Sequence, residues 1–281
     1  MYESFYQLRE NPFGATPDPR FCFKSKAHRE ALAYLAYGVF RKRGFLAVTG
    51  AVGIGKTTVI RTFVDTFLPC LDVSFVLNTK VNFEEMLYLA LRDFGCEVEG
   101  TSKVAMLVAL NDYLINRFSN NQNPLLIIDE AQNLNSEVLE ELRMLSNLET
   151  NSQKLIQIIL VGQPELDTLL MCQELHQLRQ RIPGILRMHR LTAEEVGRYI
   201  NFRLDTAGAK RGGIHISSGA YDSIYEFSGG IPRLINTLCD KVLHSGYLRK
   251  ERIIEKRMVE LSIQELSSSL DESREESGGL P

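Results

Sequence analysis

In Phe45-Leu46-Ala47-Val48-Thr49-Gly50-Ala51-Val52-Gly53-Ile54-Gly55-Lys56-Thr57, an apolar run of strand length passes directly into the spacing G-x-x-x-x-G-K-[ST]. Glycines at 50, 53 and 55 let backbone N–H groups curl around phosphate oxygens, and the next helical stretch points its positive end at them. Lys56 offers a compact cation to the β- and γ-phosphates, and Thr57 a hydroxyl oxygen to Mg²⁺. The residues expected to bind nucleotide are therefore Gly50, Gly53, Ile54, Gly55, Lys56, Thr57 and Thr58, with ATP and Mg²⁺ as ligands. A glycine turn before an exposed lysine needs neither the flanking strand nor the flanking helix.

A second apolar run, Leu125-Leu126-Ile127-Ile128, delivers Asp129 and Glu130 at its carboxyl end, where open α/β sheets bind ligands. Alone, two acids there read equally well as a helix cap. Beside a phosphate loop they have separable jobs: Asp129 holds the Mg²⁺ shell, and Glu130 orients and deprotonates the attacking water. A third run, Ile156 to Val161, ends in Gly162-Gln163-Pro164, which makes Gln163 a candidate γ-phosphate sensor or, equally simply, a turn residue.

Further apolar runs at 73–77 and 185–189 alternate with helical stretches, the first of these at 27–40. Near-continuous apolar strands between helices argue for a parallel sheet covered on both faces. The expected fold is α/β: a P-loop NTPase core over 27–190, followed by a helical lid domain over 191–266. Three lid helices are expected and no strand. One opens with the capping-box spacing Thr192-Ala193-Glu194-Glu195, one ends at Gly229-Gly230, and one starts at Pro232. Residues 1–26 read as an irregular arm with Pro12, Pro17 and Pro19 among aromatics, packed onto a domain. The serine- and acid-rich tail 267–281 is expected to stay disordered.

The chain has 281 residues, 44% of them hydrophobic, and a formal charge of −3, without the basic excess of a dedicated nucleic-acid binder. Five cysteines stand singly, as expected of buried free thiols in a reducing compartment. No signal peptide and no long apolar run is visible, which points to a cytoplasmic location, peripheral to a membrane at most.

The stretches Asn11-Pro12-Phe13, Asp129-Glu130-Ala131-Gln132-Asn133-Leu134, Leu160-Val161-Gly162-Gln163-Pro164-Glu165-Leu166, Leu178-Arg179-Gln180-Arg181-Ile182 and Ser228-Gly229-Gly230-Ile231-Pro232-Arg233 resemble the AAA+ ATPases of the ExeA family, also called general secretion pathway protein A, and their relatives. The resemblance implies an ATPase that forms a homo-oligomer in an ATP-dependent way and serves inner-membrane or envelope secretion-system proteins. It also implies that Arg233 is a lid arginine sensing the γ-phosphate, that Arg179 or Arg181 is a finger reaching a neighbouring subunit, and that Asn11 and Phe13 lie near the adenine. As a plain reading, both finger candidates and Arg233 are helix-surface cations, and the arm covers a sheet edge. Position 51 is Ala where relatives commonly carry an acid, and an ExeA protein continues beyond this sequence into a membrane span and a peptidoglycan-binding region. Two other functions remain open: a DNA-loading ATPase of a transposition system using the basic runs at 41–43 and 249–257, and a slow nucleotide-gated switch.

Overall fold

The computed structural model describes residues 1–14, 18–67, 71–77, 79–97, 100, 102–150, 153–210 and 212–277, with side chains through 268. Helix α1 (Tyr2–Phe5) opens the chain, and α2 (Lys26–Phe40) leads into β1 (Phe45–Thr49). Then come α3 (Lys56–Phe67), β2 (Leu71–Val76), α4 (Phe83–Asp93), α5 (Lys103–Ser119), β3 (Asn123–Ile128), α6 (Ser136–Leu145), β4 (Gln157–Gly162), α7 (Pro164–Leu170), α8 (His176–Arg181) and β5 (Ile185–Arg187). The chain divides into an α/β unit, His28–Val52 with Lys56–His189, and a helical unit formed by Met1–Ala27, Gly53–Gly55 and Arg190–Pro281.

In the α/β unit the five strands are parallel in the order β2-β3-β4-β1-β5, with flanking helices. The runs Phe45–Val48, Leu125–Ile128 and Ile158–Val161 are buried throughout, as unbroken apolar strands between two helical layers must be. Register aligns the strand ends. Thr49 pairs with Gly162 and Ile128 with Leu160, so Gly50, Asp129 and Gln163 leave the three central strands along one carboxyl edge. β2 starts two residues before the apolar run at 73–77, because Leu71 and Asp72 pair with Asn123 and Pro124. β5 stops at Arg187, short of the run ending at 189.

The helical unit holds α9 (Ala193–Thr206), α10 (Ser218–Ser228), α11 (Pro232–Arg249) and α12 (Lys256–Ser277), with β6 (His215–Ile216) parallel to β7 (Ile253–Ile254). The expectation of three helices and no strand is thus corrected to four helices and a two-residue pair. Strands so short carry no period, and among the described side chains of α12, which run through 268, only a narrow stripe, Met258, Val259 and Ser262, is buried among charged neighbours. The tail expected to be disordered continues as helix through Ser277, since adding a turn to a docked helix costs far less than starting one; residues 278–281 lie outside the described residues. Of the four described cysteines, all free, Cys172 is exposed rather than buried.

The arm is part of this unit's core. Tyr2, Tyr6, Leu8, Phe13 and Phe21 pack with Val196, Ile200, Leu238 and Val242. Tyr6 is 0% exposed and donates to the Glu251 carbonyl at 2.9 Å, and burial pushes its pKa up to about 12. Arg203 is buried beneath the arm: it donates to the Pro12 carbonyl and to the Tyr199 hydroxyl (2.9 Å), and its guanidinium lies 4.8 Å from the Phe21 ring centre.

Candidate nucleotide and hydrolysis site

Lys56 opens α3, and its side chain, 7% exposed, folds back so that Nζ donates to the carbonyls of Gly50 (2.8 Å) and Ala51 (3.2 Å). Burial lowers its pKa, against the pull of the Glu130, Asp129 and Glu165 carboxylates. Thr57 comes next at the start of the helix, and its hydroxyl donates to Asp129 Oδ2 at 2.8 Å, while Asp129 Oδ1 accepts the Glu130 N–H at 2.9 Å. A hydroxyl and a carboxylate meeting at the mouth of a phosphate loop form the hard-oxygen donor set that Mg²⁺ takes. The residues present therefore fit Mg-ATP.

Glu130 has φ +52°, a left-handed conformation that costs a non-glycine residue about 1–3 kcal/mol unless its surroundings hold it. The Thr79 hydroxyl (3.1 Å) and the Asn133 N–H (3.0 Å) both donate to its carbonyl. Its carboxylate is held as firmly. Oε2 accepts from Gln132 Nε2 at 2.6 Å and from Gln163 Nε2 at 3.0 Å, while Gln132 Oε1 accepts the Gln163 N–H at 3.0 Å. The Gln163 and Gln132 amides, with the Lys56 charge, hold the Glu130 carboxyl below the usual carboxylate range despite partial burial.

Within the α/β unit, then, Lys56, Thr57, Asp129, Glu130 and Gln163 come together at one edge. Sequence reasoning singled out neither Gln132 nor Thr79. Gln132 stands two residues past the paired acids in a turn with no period. Its one visible signal is Gly162, where an added Cβ would lie 2.9 Å from Gln132 Oε1 and 2.8 Å from Leu166 Cδ2. Glycine there leaves room for the amide.

In the helical unit, Arg233 is exposed in the first turn of α11, and its N–H donates to the Gly53 carbonyl at 3.2 Å. Gly53 has φ +75°, and a Cβ on it would lie 2.5 Å from the Arg233 Cβ. Asn11 is exposed and accepts the Phe13 N–H at 2.7 Å, whereas Phe13 is 4% exposed and belongs to the core. Arg179 and Arg181 end α8, ahead of β5, so they lie toward the amino edge of the sheet, opposite the paired acids. Among the described residues no group of three or more His, Cys, Asp and Glu suits a metal.

The AAA domain family matches residues 40–170. General secretion pathway protein A of Aeromonas hydrophila is 36% identical over 279 residues, 99% of this chain and 51% of that protein, so the chain spans about half the length of this curated relative. Among solved structures, ORC2 of Aeropyrum pernix, in ADPNP–ADP complexes, aligns with a TM-score of 0.69 at 18% identity, covering 91% of this chain and 71% of that one. Cdc6p of Pyrobaculum aerophilum aligns at 0.66 and 18% identity, covering 86% and 67%. The RuvB Holliday junction branch migration motor of Thermotoga maritima does so at 0.58 and 18%, covering 87% and 70%. These structures share the fold. With that fold, the converging acids and a relative matched along 99% of the sequence, the chain carries an AAA domain of the P-loop ATPase kind and resembles the ExeA-like proteins.

Proposed function

We propose that this ATPase assembles with further copies of itself when it binds Mg-ATP and works at the cytoplasmic face of the inner membrane in support of an envelope secretion system. The secretion role rests on the likeness to General secretion pathway protein A; no described helix is long and apolar enough to cross a membrane. The observation that carries the hydrolytic reading is the Glu130 carboxylate, fixed by two glutamine amides beside the Thr57–Asp129 pair.

In this reading Thr57 and Asp129 would hold Mg²⁺, which would neutralise charge on the phosphates. Lys56 leaves the loop carbonyls for the phosphate oxygens, and Gln163 aligns the water. The water oxygen bonds to the γ-phosphorus, the bond to the β-bridging oxygen breaks, ADP leaves, and the water proton passes to Glu130. Arg233 reads the γ-phosphate, and Arg179 or Arg181 serves a neighbouring subunit. The arm turn at Asn11 and Phe13 is assigned to the adenine through the family resemblance alone.

The test is ATP hydrolysis against protein concentration, with sedimentation, for the parent chain and Glu130→Gln. Specific activity that rises with concentration, and a Glu130→Gln chain that assembles on ATP but turns over ~10²–10⁴-fold more slowly, are the expected results. Turnover by a monomer at all concentrations would remove the trans arginine, and an active Glu130→Gln chain would remove the base.

A further inference from the structure

At the amino edge of the sheet a cavity of about 690 Å³ opens among the start of β1, the end of α6 and α8. β1 is five residues long, which puts this edge about 17 Å from the phosphate loop at ~3.3 Å per residue. Arg43, Arg143, Lys154, His176 and Arg181 line the cavity, and no carboxylate does. Arg143 pairs with Glu140 at 2.7 Å and Lys154 pairs with Glu149, both acids lying outside the lining. Among the described residues no carboxylate pairs with Arg43 or Arg181: Arg43 donates to the Tyr37 hydroxyl at 3.3 Å, and Arg181 to Ser146 Oγ at 3.0 Å.

Ser146 makes this a built site. It is 1% exposed, and its hydroxyl donates to the Arg143 carbonyl at 2.6 Å while accepting from Arg181, so one buried oxygen fixes two helix ends and aims a guanidinium. Cations in the last turn of a helix suit its dipole, which accounts for Arg143 and Arg181 separately. It does not account for Arg43 and Lys154, which come from the approaches to β1 and β4 and converge on the same space. Like charges gathered in one concavity focus a positive potential, and guanidinium forks match the oxygens of phosphate.

We infer that this cavity is an oligophosphate site, separate from the phosphate loop, with Arg43, Arg143, Lys154 and Arg181 as its ligands. The phosphates are those of a free polyanion, whatever part an α8 arginine plays toward a neighbouring subunit. Inorganic tripolyphosphate titrated calorimetrically into the Lys56→Ala chain, whose phosphate loop is weakened, reads the site directly. One binding event is expected, weakened about tenfold or more when Arg43→Ala and Arg181→Ala are added. Arg43→Gln alone, at an exposed position, keeps the comparison readable if the combined variant does not fold.

Mixing the Lys56→Ala chain with an Arg43→Ala, Arg181→Ala chain reads the role toward a neighbouring subunit apart from the cavity. Tripolyphosphate binding that needs the arginines upholds the site whether or not the mixture regains turnover, and regained turnover without such binding overturns it. Binding indifferent to the arginines, or none, overturns the inference as well. Parent turnover and its loss in Glu130→Gln are read separately, so the cavity can fail while the hydrolytic reading stands.

Discussion

The amide of Gln132 touches both groups on which hydrolysis is proposed to depend: it donates to the Glu130 carboxylate and accepts from the backbone of Gln163. Replacing it by Ala removes one of the donors that hold the Glu130 carboxyl low, so its pKa rises toward the ordinary value. A base works only when ionised. As pH falls, the Gln132→Ala chain should therefore lose kcat at a higher pH than the parent, with about tenfold lower kcat, ~1.4 kcal/mol, at neutral pH. A pH–rate profile with an unmoved acid limb would show Gln132 to be a bystander. Gly162→Ala should act through the same amide, by crowding its oxygen. The residues that bear charge here, Lys56, Asp129 and Glu130, were legible because glycine spacing and an apolar strand announced them. Gln132 was not, because only the folded turn brings it back to Glu130.

The sheet of the α/β unit was legible because its strands are near-continuous apolar runs, whereas the part of the chain beyond residue 190 was read one helix short. There the readable features were local chemistry: the box joining Thr192 and Glu195 forms as spaced, and Gly229 closes α10 in a left-handed conformation. Thr192→Ala removes the side-chain acceptor for the Glu195 N–H and should cost about 1 kcal/mol in denaturant unfolding. Gly230→Ala is harsher. At φ +76° its Cβ would lie 2.0 Å from the Leu191 carbonyl oxygen, which itself belongs to backbone, so a loss of about 2 kcal/mol or more is expected. Equal melting temperatures for Gly230→Ala and the parent would mean that α11 starts differently from the arrangement described.

The helical unit is assembled from both ends of the chain, and no periodicity could have shown it. Tyr6 sits at 0% exposure against residues almost 250 positions away, so Tyr6→Ala should cost ~3–5 kcal/mol, as large-to-small changes of buried aromatics do, read as a lowered midpoint in urea. If the midpoint is unchanged, the arm is not core. The same closure has a consequence for how the protein is made. Tyr2 leaves the ribosome 238 residues before Asp240, its hydrogen-bond partner, an interval of roughly 12–48 s at ~5–20 residues per second. Throughout that interval the α/β unit can fold behind it, while Tyr2, Tyr6 and Phe13 have no finished core to enter. The stretch from Tyr2 to Phe13 is thus a long-lived sticky segment of the nascent chain. Slower elongation lengthens its wait, and a chaperone that covers this stretch should raise the yield of native protein more than one that acts after release.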